Sequence, residues 1–407
     1  MEVMEADYLI VGGGPSGFSA VRELREVDPK GSVVLVTNEK YLPYDRPPLS
    51  KDYLRGETSR EALFYEGEEF YRRNNVLVLL GRKVERLNLR DREAVLDDGE
   101  VRFGKALLAT GGSPRRVRIE GDDRKGIYLY RTLDDVDAVR AEAAPGRRPL
   151  IIGGGFIGME VAASLTLMGL RPTVVEVKPY IWNTFVDEKV ASVLQEYFES
   201  RGVKFLVNES VRELRGGERV ERAITSSGRE VEADFVVMAV GISPNVELAQ
   251  SSGLQVENGI VTDKFLRTSH HDVFASGDVA NFLDAQGKRR RIEHWNNADY
   301  TGKLSARNMA GREEPYDYLS TVWSDIFDLH IEAAGETGDY DEYVVRGKLG
   351  GESFSVIYVK GGLVTGYLAV NRREEELEAL NRLIKERVDV TGRTKLLGEE
   401  GTDLKSL

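Results

Sequence analysis

The sequence predicts an α/β protein: two domains built on one strand–turn–helix–strand plan, then a C-terminal α+β domain. Three observations carry this. A short apolar run leading into a triple glycine occurs twice, at Gly12-Gly13-Gly14 and Gly153-Gly154-Gly155, 141 residues apart. That spacing suits two domains of similar plan and is far too long for a solenoid repeat. Short runs rich in Val, Leu and Ala, bounded by Gly and Asp, have the length of buried strands. Beyond about Pro315 the pattern becomes that of antiparallel hairpins.

In chain order, the strand Tyr8 to Val11 leads into Gly12-Gly13-Gly14-Pro15-Ser16-Gly17, the helix Phe18 to Val27 and the strand Val33 to Val36. Strands follow at Val76 to Leu80 and Ala106 to Ala109. The second unit has Pro149 to Ile152, then Gly153-Gly154-Gly155-Phe156-Ile157-Gly158, the helix Met159 to Met168 and the strand Thr173 to Val175. Phe235 to Val240 and Val273 to Ala275 complete the buried runs. Ile331 to Ala334, Tyr343 to Val345, Ser353 to Val359 and Leu363 to Val370 read as antiparallel strands, with Gly361-Gly362 as a hairpin turn. In the helix Arg373 to Val388, Leu377, Leu380, Leu383 and Ile384 share one face, as core packing requires.

Composition removes several classes of function. The 407 residues are 41% hydrophobic and 30% charged, enough for several cores and a solvated surface. A formal charge of −12 opposes general nucleic-acid binding. With no cysteine, disulfide scaffolds, thiolate-held metal or iron–sulfur sites and thiol catalysis are excluded. No apolar run approaches the roughly 20 residues that span a bilayer, and Met1 to Glu5 lacks the basic start of an export signal. A cytoplasmic protein without membrane contact is expected, as monomer or homodimer. His270 and His271 are adjacent, expected to point apart, and suggest no metal site.

Glycine at these spacings has a stated chemistry. The first allows the tight turn, the second lets the backbone approach a pyrophosphate, and the third packs helix on strand. The helix N-terminus then offers free N–H groups and a positive dipole end. An acid about 20 residues further on binds an adenosine ribose. Glu39 lies 22 residues after Gly17 and Glu176 lies 18 after Gly158, each expected to close its strand; Asn38 is an alternative at the first site. The two halves are therefore expected to be Rossmann-like dinucleotide-binding domains.

Further motifs resemble a family. Pro43-Tyr44-Asp45-Arg46-Pro47-Pro48-Leu49-Ser50-Lys51, Ala109-Thr110-Gly111, Ala239-Val240-Gly241 with Pro244-Asn245, and Ala275-Ser276-Gly277-Asp278 occur in order. Arg291-Ile292-Glu293-His294-Trp295-Asn296-Asn297-Ala298 and Trp323-Ser324-Asp325 continue the series. The chain resembles the FAD-dependent ferredoxin, rubredoxin and putidaredoxin reductases of the pyridine nucleotide-disulfide oxidoreductase superfamily. The resemblance implies a glutathione-reductase-like fold, with FAD-binding residues 1–112 and 245–315, an inserted NAD-binding domain 113–244 and a C-terminal reductase domain 316–407. Superfamily members that reduce disulfides or peroxide carry redox cysteines beside the flavin; here electrons must leave from the flavin itself.

The resemblance also implies roles. Gly12, Gly14, Pro15, Ser16 and Gly17, with Asn38 and Glu39, would form the FAD adenosine diphosphate site, and Arg46 is a further cofactor-binding position. Val84, Thr110, Gly111, Arg131, Gly277 and Asp278 match other FAD positions, and Trp295 one near the flavin pyrimidine. The helix Asn296 to Ala310 would aim its N-terminus at the flavin C2 carbonyl. Lys51 matches a lysine near flavin N5 and Glu160 its ion-pair partner, the two residues assigned to catalysis. Gly153, Gly155, Ile157, Gly158 and Glu176 would bind the nicotinamide dinucleotide, with Gly241 at the nicotinamide entrance and Trp323 over the ring. Glu176 favours NADH over NADPH, which Lys178 complicates; Thr184 stands where relatives often have arginine. The expected activity is oxidoreductase electron transfer from NADH through FAD to a small ferredoxin or rubredoxin, with Lys288-Arg289-Arg290-Arg291 as a candidate docking patch. Alternative acceptors are a quinone, monodehydroascorbate or oxygen, and a third reading resembles the redox-switched apoptosis-inducing factor.

Overall fold

A computed structural model describes residues 2–407. The chain forms two compact units: one comprises residues up to Pro47, Ser59–Ser113 and Ile242–Ser320, the other Pro48–Thr58, Pro114–Gly241 and Thr321–Leu407.

The first unit is built on a seven-stranded sheet. Its parallel part runs Val76–Leu80, Val33–Thr37, Glu2–Val11, Gly99–Leu108, with Val273–Ala275 also paired to Gly99–Leu108. Val33 to Thr37 are all buried, as a strand covered on both faces requires. Antiparallel Glu93–Leu96 and Val84–Asn88 extend the edge. The helix Trp295–Met309 packs on the fingerprint helix Pro15–Val27 so closely that a Cβ on Gly302 would stand 2.2 Å from the Ser16 carbonyl oxygen.

The second unit repeats the plan with five parallel strands in the order Lys204–Val207, Thr173–Glu176, Pro149–Ile152, Phe235–Met238, Ile127–Leu129. Its C-terminal part is an antiparallel sheet in the order Thr321–Ile326, Leu329–Gly335, Leu363–Val370, Phe354–Lys360, Glu342–Gly347. Gly361 and Gly362 take positive φ in the hairpin turn. The helix Glu374–Lys385 buries Leu377, Leu380 and Leu383.

The sequence assigns Pro48–Thr58 to the first domain, but its contacts place it in the second unit. The Tyr130 hydroxyl donates to the Leu49 carbonyl, Ser164 donates to the Ser50 carbonyl at 2.7 Å, and Tyr53 donates to Asp137 at 2.6 Å. The C-terminal sheet belongs to that same unit.

Candidate functional sites

In the first unit, each fingerprint glycine meets a different demand. Gly12 has φ +117°, and a Cβ there would lie 2.0 Å from the Ala109 carbonyl oxygen. A Cβ on Gly17 would lie 2.0 Å from the Gly12 oxygen, so the helix reaches its strand only without side chains. Gly14 is the exception: its nearest neighbour would be Arg46 Nε at 4.0 Å. That open position at the helix N-cap, with Pro15 at the first helical position, is where a pyrophosphate needs room and N–H donors.

Charge gathers around this cradle. Arg46 donates to Glu39 Oε1 at 2.5 Å, and the Tyr44 hydroxyl donates to Glu39 Oε2. Burial works against the Arg46 charge, but Tyr44, Glu39 and Asp278 outweigh it and raise its pKa above the ordinary arginine value. The Ser16 and Ser276 hydroxyls share a 2.6 Å hydrogen bond, and the Gly277 N–H donates to Thr301 at 2.9 Å, bringing the Gly-Asp motif to the fingerprint. Thr110 donates to the Asn245 carbonyl at 2.7 Å, and Asn245 returns a bond to the Thr110 carbonyl. Val84 is buried at the start of its strand. Trp295, the first residue of its helix, donates from Nε1 to Asp45 at 2.9 Å and is 37% exposed. His294 shares a 2.9 Å bond with Ser320, and burial pushes its imidazole down to about 4.

The second fingerprint repeats the geometry. Gly153 has φ +110° and a Cβ would stand 2.2 Å from the Ala239 oxygen; on Gly158 it would stand 2.0 Å from the Gly153 oxygen. Gly155 has nothing within 4 Å of that position. Ile157, on the first turn of the helix Phe156–Leu167, is 40% exposed. Gly241, at φ +89°, likewise has open space at its missing Cβ.

The two acids differ in placement. Val11 pairs with Val36, and Ile152 with Val175, so Thr37 and Glu176 occupy equivalent strand-end positions. Each lies beside the middle glycine of its fingerprint, Gly13 or Gly154. Glu176 closes its strand as expected, but Glu39 lies two residues past the end of Val33–Thr37 and corresponds to Lys178. Glu176 is buried, accepting from the Gly154 N–H at 2.7 Å and the Lys178 N–H at 2.8 Å. Lys178 and Thr184 are exposed.

A buried ionic cluster completes the second unit. Lys51 Nζ lies 3.0 Å from Glu160 Oε1, with side chains 11% and 7% exposed, and 5.2 Å from the Trp323 ring centroid. Arg131 belongs to this unit, where its N–H donates to Asp135 at 2.9 Å.

Two surface expectations change. Arg289 donates to the Asn281 and Thr262 carbonyls, Arg290 pairs with Asp284 at 3.0 Å, and Arg291 pairs with Glu293 at 2.7 Å. Two of the four cations are thus paired with carboxylates within their own unit, so the run carries less net charge than the sequence shows. His270 and His271 do not point apart: their rings stack with centroids 4.8 Å apart. They gather with Asp272, whose carboxylate also pairs with Arg92 and Lys105, cations that oppose a metal ion there.

Two open glycine cradles, each followed by an acid near its strand end, define a protein that holds two dinucleotides; the residues present fit both. The chain belongs to the family described as pyridine nucleotide-disulphide oxidoreductase, which residues 6–302 match, while residues 321–407 match the reductase C-terminal family. FAD and NAD(H) are its cofactors. It is 32% identical over 377 residues to the 5,5'-dehydrodivanillate O-demethylase ferredoxin reductase subunit of Sphingobium sp., covering 91% of this chain and 92% of that protein. It is 32% identical to rubredoxin-NAD(+) reductase of Pseudomonas putida, covering 83% and 88%. The reductase in the covalent putidaredoxin reductase–putidaredoxin complex superposes with a TM-score of 0.94 at 29% identity, covering 98% and 97%. No helix among the described residues is long and apolar enough to cross a membrane.

Sequence reasoning missed four residues: Gly302 at the helix crossing, Thr37 over Gly13, and Ser50 and Ser324 beside Glu160. Ser50 and Ser324 stand inside quoted motifs, the only signal that could have drawn notice to them.

Proposed function

We propose that this protein is an NADH-dependent reductase that passes electrons through FAD to a small ferredoxin or rubredoxin serving an oxygenase-type system. One observation carries the reading: a single chain offers two open pyrophosphate cradles, at Gly14 and Gly155, and contains no cysteine. Reducing equivalents from a nicotinamide donor therefore have no thiol to enter. The names of the Sphingobium and Pseudomonas relatives point to the same class of acceptor.

Bound FAD would supply the exchange between two-electron hydride chemistry and one-electron iron–sulfur or rubredoxin chemistry. The chain's own residues bind and orient. Gly14, the N-terminus of Pro15–Val27 and Arg46 would hold the FAD pyrophosphate, with Glu39 on the ribose. Gly155 and the N-terminus of Phe156–Leu167 would hold the NADH pyrophosphate. There Gly155 has no atom within 4 Å of its missing Cβ, whereas Arg46 stands over Gly14. The difference suits a resident FAD and an exchangeable NADH. Glu176 would face the ribose and repel a 2′-phosphate, favouring NADH.

Lys51 would be the cation beside the isoalloxazine, held in place by its ion pair with Glu160, and Trp323 would cover the nicotinamide. A charge-rich, cysteine-free chain suits the cytoplasm, which cell fractionation checks. The function itself is tested by NADH oxidation with a [2Fe–2S] ferredoxin or a rubredoxin. Acceptor reduction that requires both NADH and this protein supports it. Rapid NADH oxidation with a quinone or oxygen, and none with either iron protein, overturns it.

A further inference from the structure

The Lys51–Glu160 pair is not isolated. Glu160 Oε1 accepts from the Ser324 hydroxyl at 2.5 Å as well as from Lys51, and Oε2 accepts from the Ser50 hydroxyl. All four residues are buried: Ser324 is 0% exposed and Ser50 is 2%. They come from three segments: the turn Pro47–Ser50 and its successor Lys51, the helix Phe156–Leu167 behind the second fingerprint, and the C-terminal strand Thr321–Ile326. Trp323, next to Ser324, lies over Lys51.

We propose that Ser50 and Ser324 are positioning residues for NADH-dependent flavin reduction: their hydroxyls fix the Glu160 carboxyl group in one orientation and thereby set Lys51. This rests on the reading of Lys51 given above. A buried carboxylate needs donors beyond its counter-ion, because one lysine leaves most of its lone pairs desolvated and unpaired. The two hydroxyls approach opposite oxygens and so fix the carboxylate plane. Among the described residues, Lys51, from the turn, and Tyr130, from the segment before the helix Leu133–Glu142, interact with Glu160. Burial first, and Glu160 next, hold the Tyr130 phenol well above its ordinary value, so it stays neutral and anchors the turn through the Leu49 carbonyl. Ser324 makes the C-terminal domain part of the seat of this lysine.

The test uses FAD-loaded Ser50→Ala and Ser324→Ala proteins, alone and combined with Lys51→Met, in anaerobic stopped-flow reduction over a range of NADH concentrations. Deleting either hydroxyl removes one hydrogen bond to a charged group, so each variant should slow flavin reduction roughly tenfold. The loss should fall on the limiting rate of flavin reduction and leave its dependence on NADH concentration little changed, because the lost bonds act on Lys51 and not on the nucleotide cradle. In the Lys51→Met background Ser324→Ala should add no further loss, since both act through one cation. If Lys51→Met slows reduction while the serine variants keep the parental limiting rate, the serine proposal falls and the lysine reading stands. Equal losses from Ser324→Ala with and without Lys51 also overturn it. An unchanged rate in Lys51→Met removes the reading on which it rests.

Discussion

Replacing Gly155 by alanine separates nucleotide binding from folding. Gly155 has φ −84°, which alanine adopts freely, and an added Cβ meets nothing within 4 Å. The fold should therefore be unchanged. What the methyl fills is the space through which a pyrophosphate approaches the N-terminus of Phe156–Leu167. Loss of one backbone N–H bond to a charged phosphate is about 1.5–3 kcal/mol. At 1.4 kcal/mol per factor of ten, the KM for NADH should rise by about 10- to 100-fold. FAD content, which the first fingerprint would set, should not change. Gly153→Ala is the contrasting perturbation: φ +110° and a Cβ 2.2 Å from the Ala239 oxygen force the turn away from the neighbouring strand Phe235–Met238, so the fold itself fails. The assay is steady-state NADH oxidation with a one-electron acceptor, alongside the visible flavin spectrum and thermal unfolding. A Gly155→Ala protein with full FAD, wild-type stability and an unchanged KM would refute the assignment of this cradle to NADH.

Other outcomes follow from the same geometry. Lys51→Met should slow flavin reduction by NADH in stopped-flow by tenfold or more while FAD is retained, because a methyl thioether offers no charge to electron-rich flavin. Glu176→Gln should narrow the ratio of kcat/KM for NADH over NADPH by about tenfold; a ratio unaltered by loss of the carboxylate would assign the preference elsewhere. His294, depressed by burial to about 4 from an ordinary 6.5, makes stability fall on the acid side. The unfolded chain takes the proton below pH 6.5 and the folded chain only near pH 4, so stability is full above 6.5 and declines as pH drops between them. Between pH 7 and 5 this amounts to about 2 kcal/mol, which His294→Gln should abolish in urea titrations at the two pH values.

Much of this architecture is legible in the sequence because the glycine requirements are local. A strand that must turn at Gly12 or Gly153 and start a helix in contact with itself has few residue choices, and the pattern appears twice. The strand ends are less legible. Spacing alone treats Glu39 and Glu176 as equivalents, yet register makes Thr37 the counterpart of Glu176, because apolar runs do not mark where pairing stops. The basic run Lys288–Arg291 is visible as charge, but its partners, Asp284 and the Asn281 and Thr262 carbonyls, become neighbours only through the hairpin that precedes the Trp295 helix. The serines on Glu160 are invisible for the same reason: 110 and 164 residues separate them from the carboxylate they bind.

The central claim is that electrons from a nicotinamide donor leave this cysteine-free chain one at a time from its flavin. An anaerobic titration tests it most directly: NADH is added to the FAD-loaded protein in the presence of excess oxidised rubredoxin or [2Fe–2S] ferredoxin, and reduced acceptor is counted. Two acceptor molecules reduced per NADH, with the flavin returning to its oxidised spectrum as NADH is exhausted, is the expected result. A flavin bleached by NADH that leaves the iron centre oxidised would contradict it.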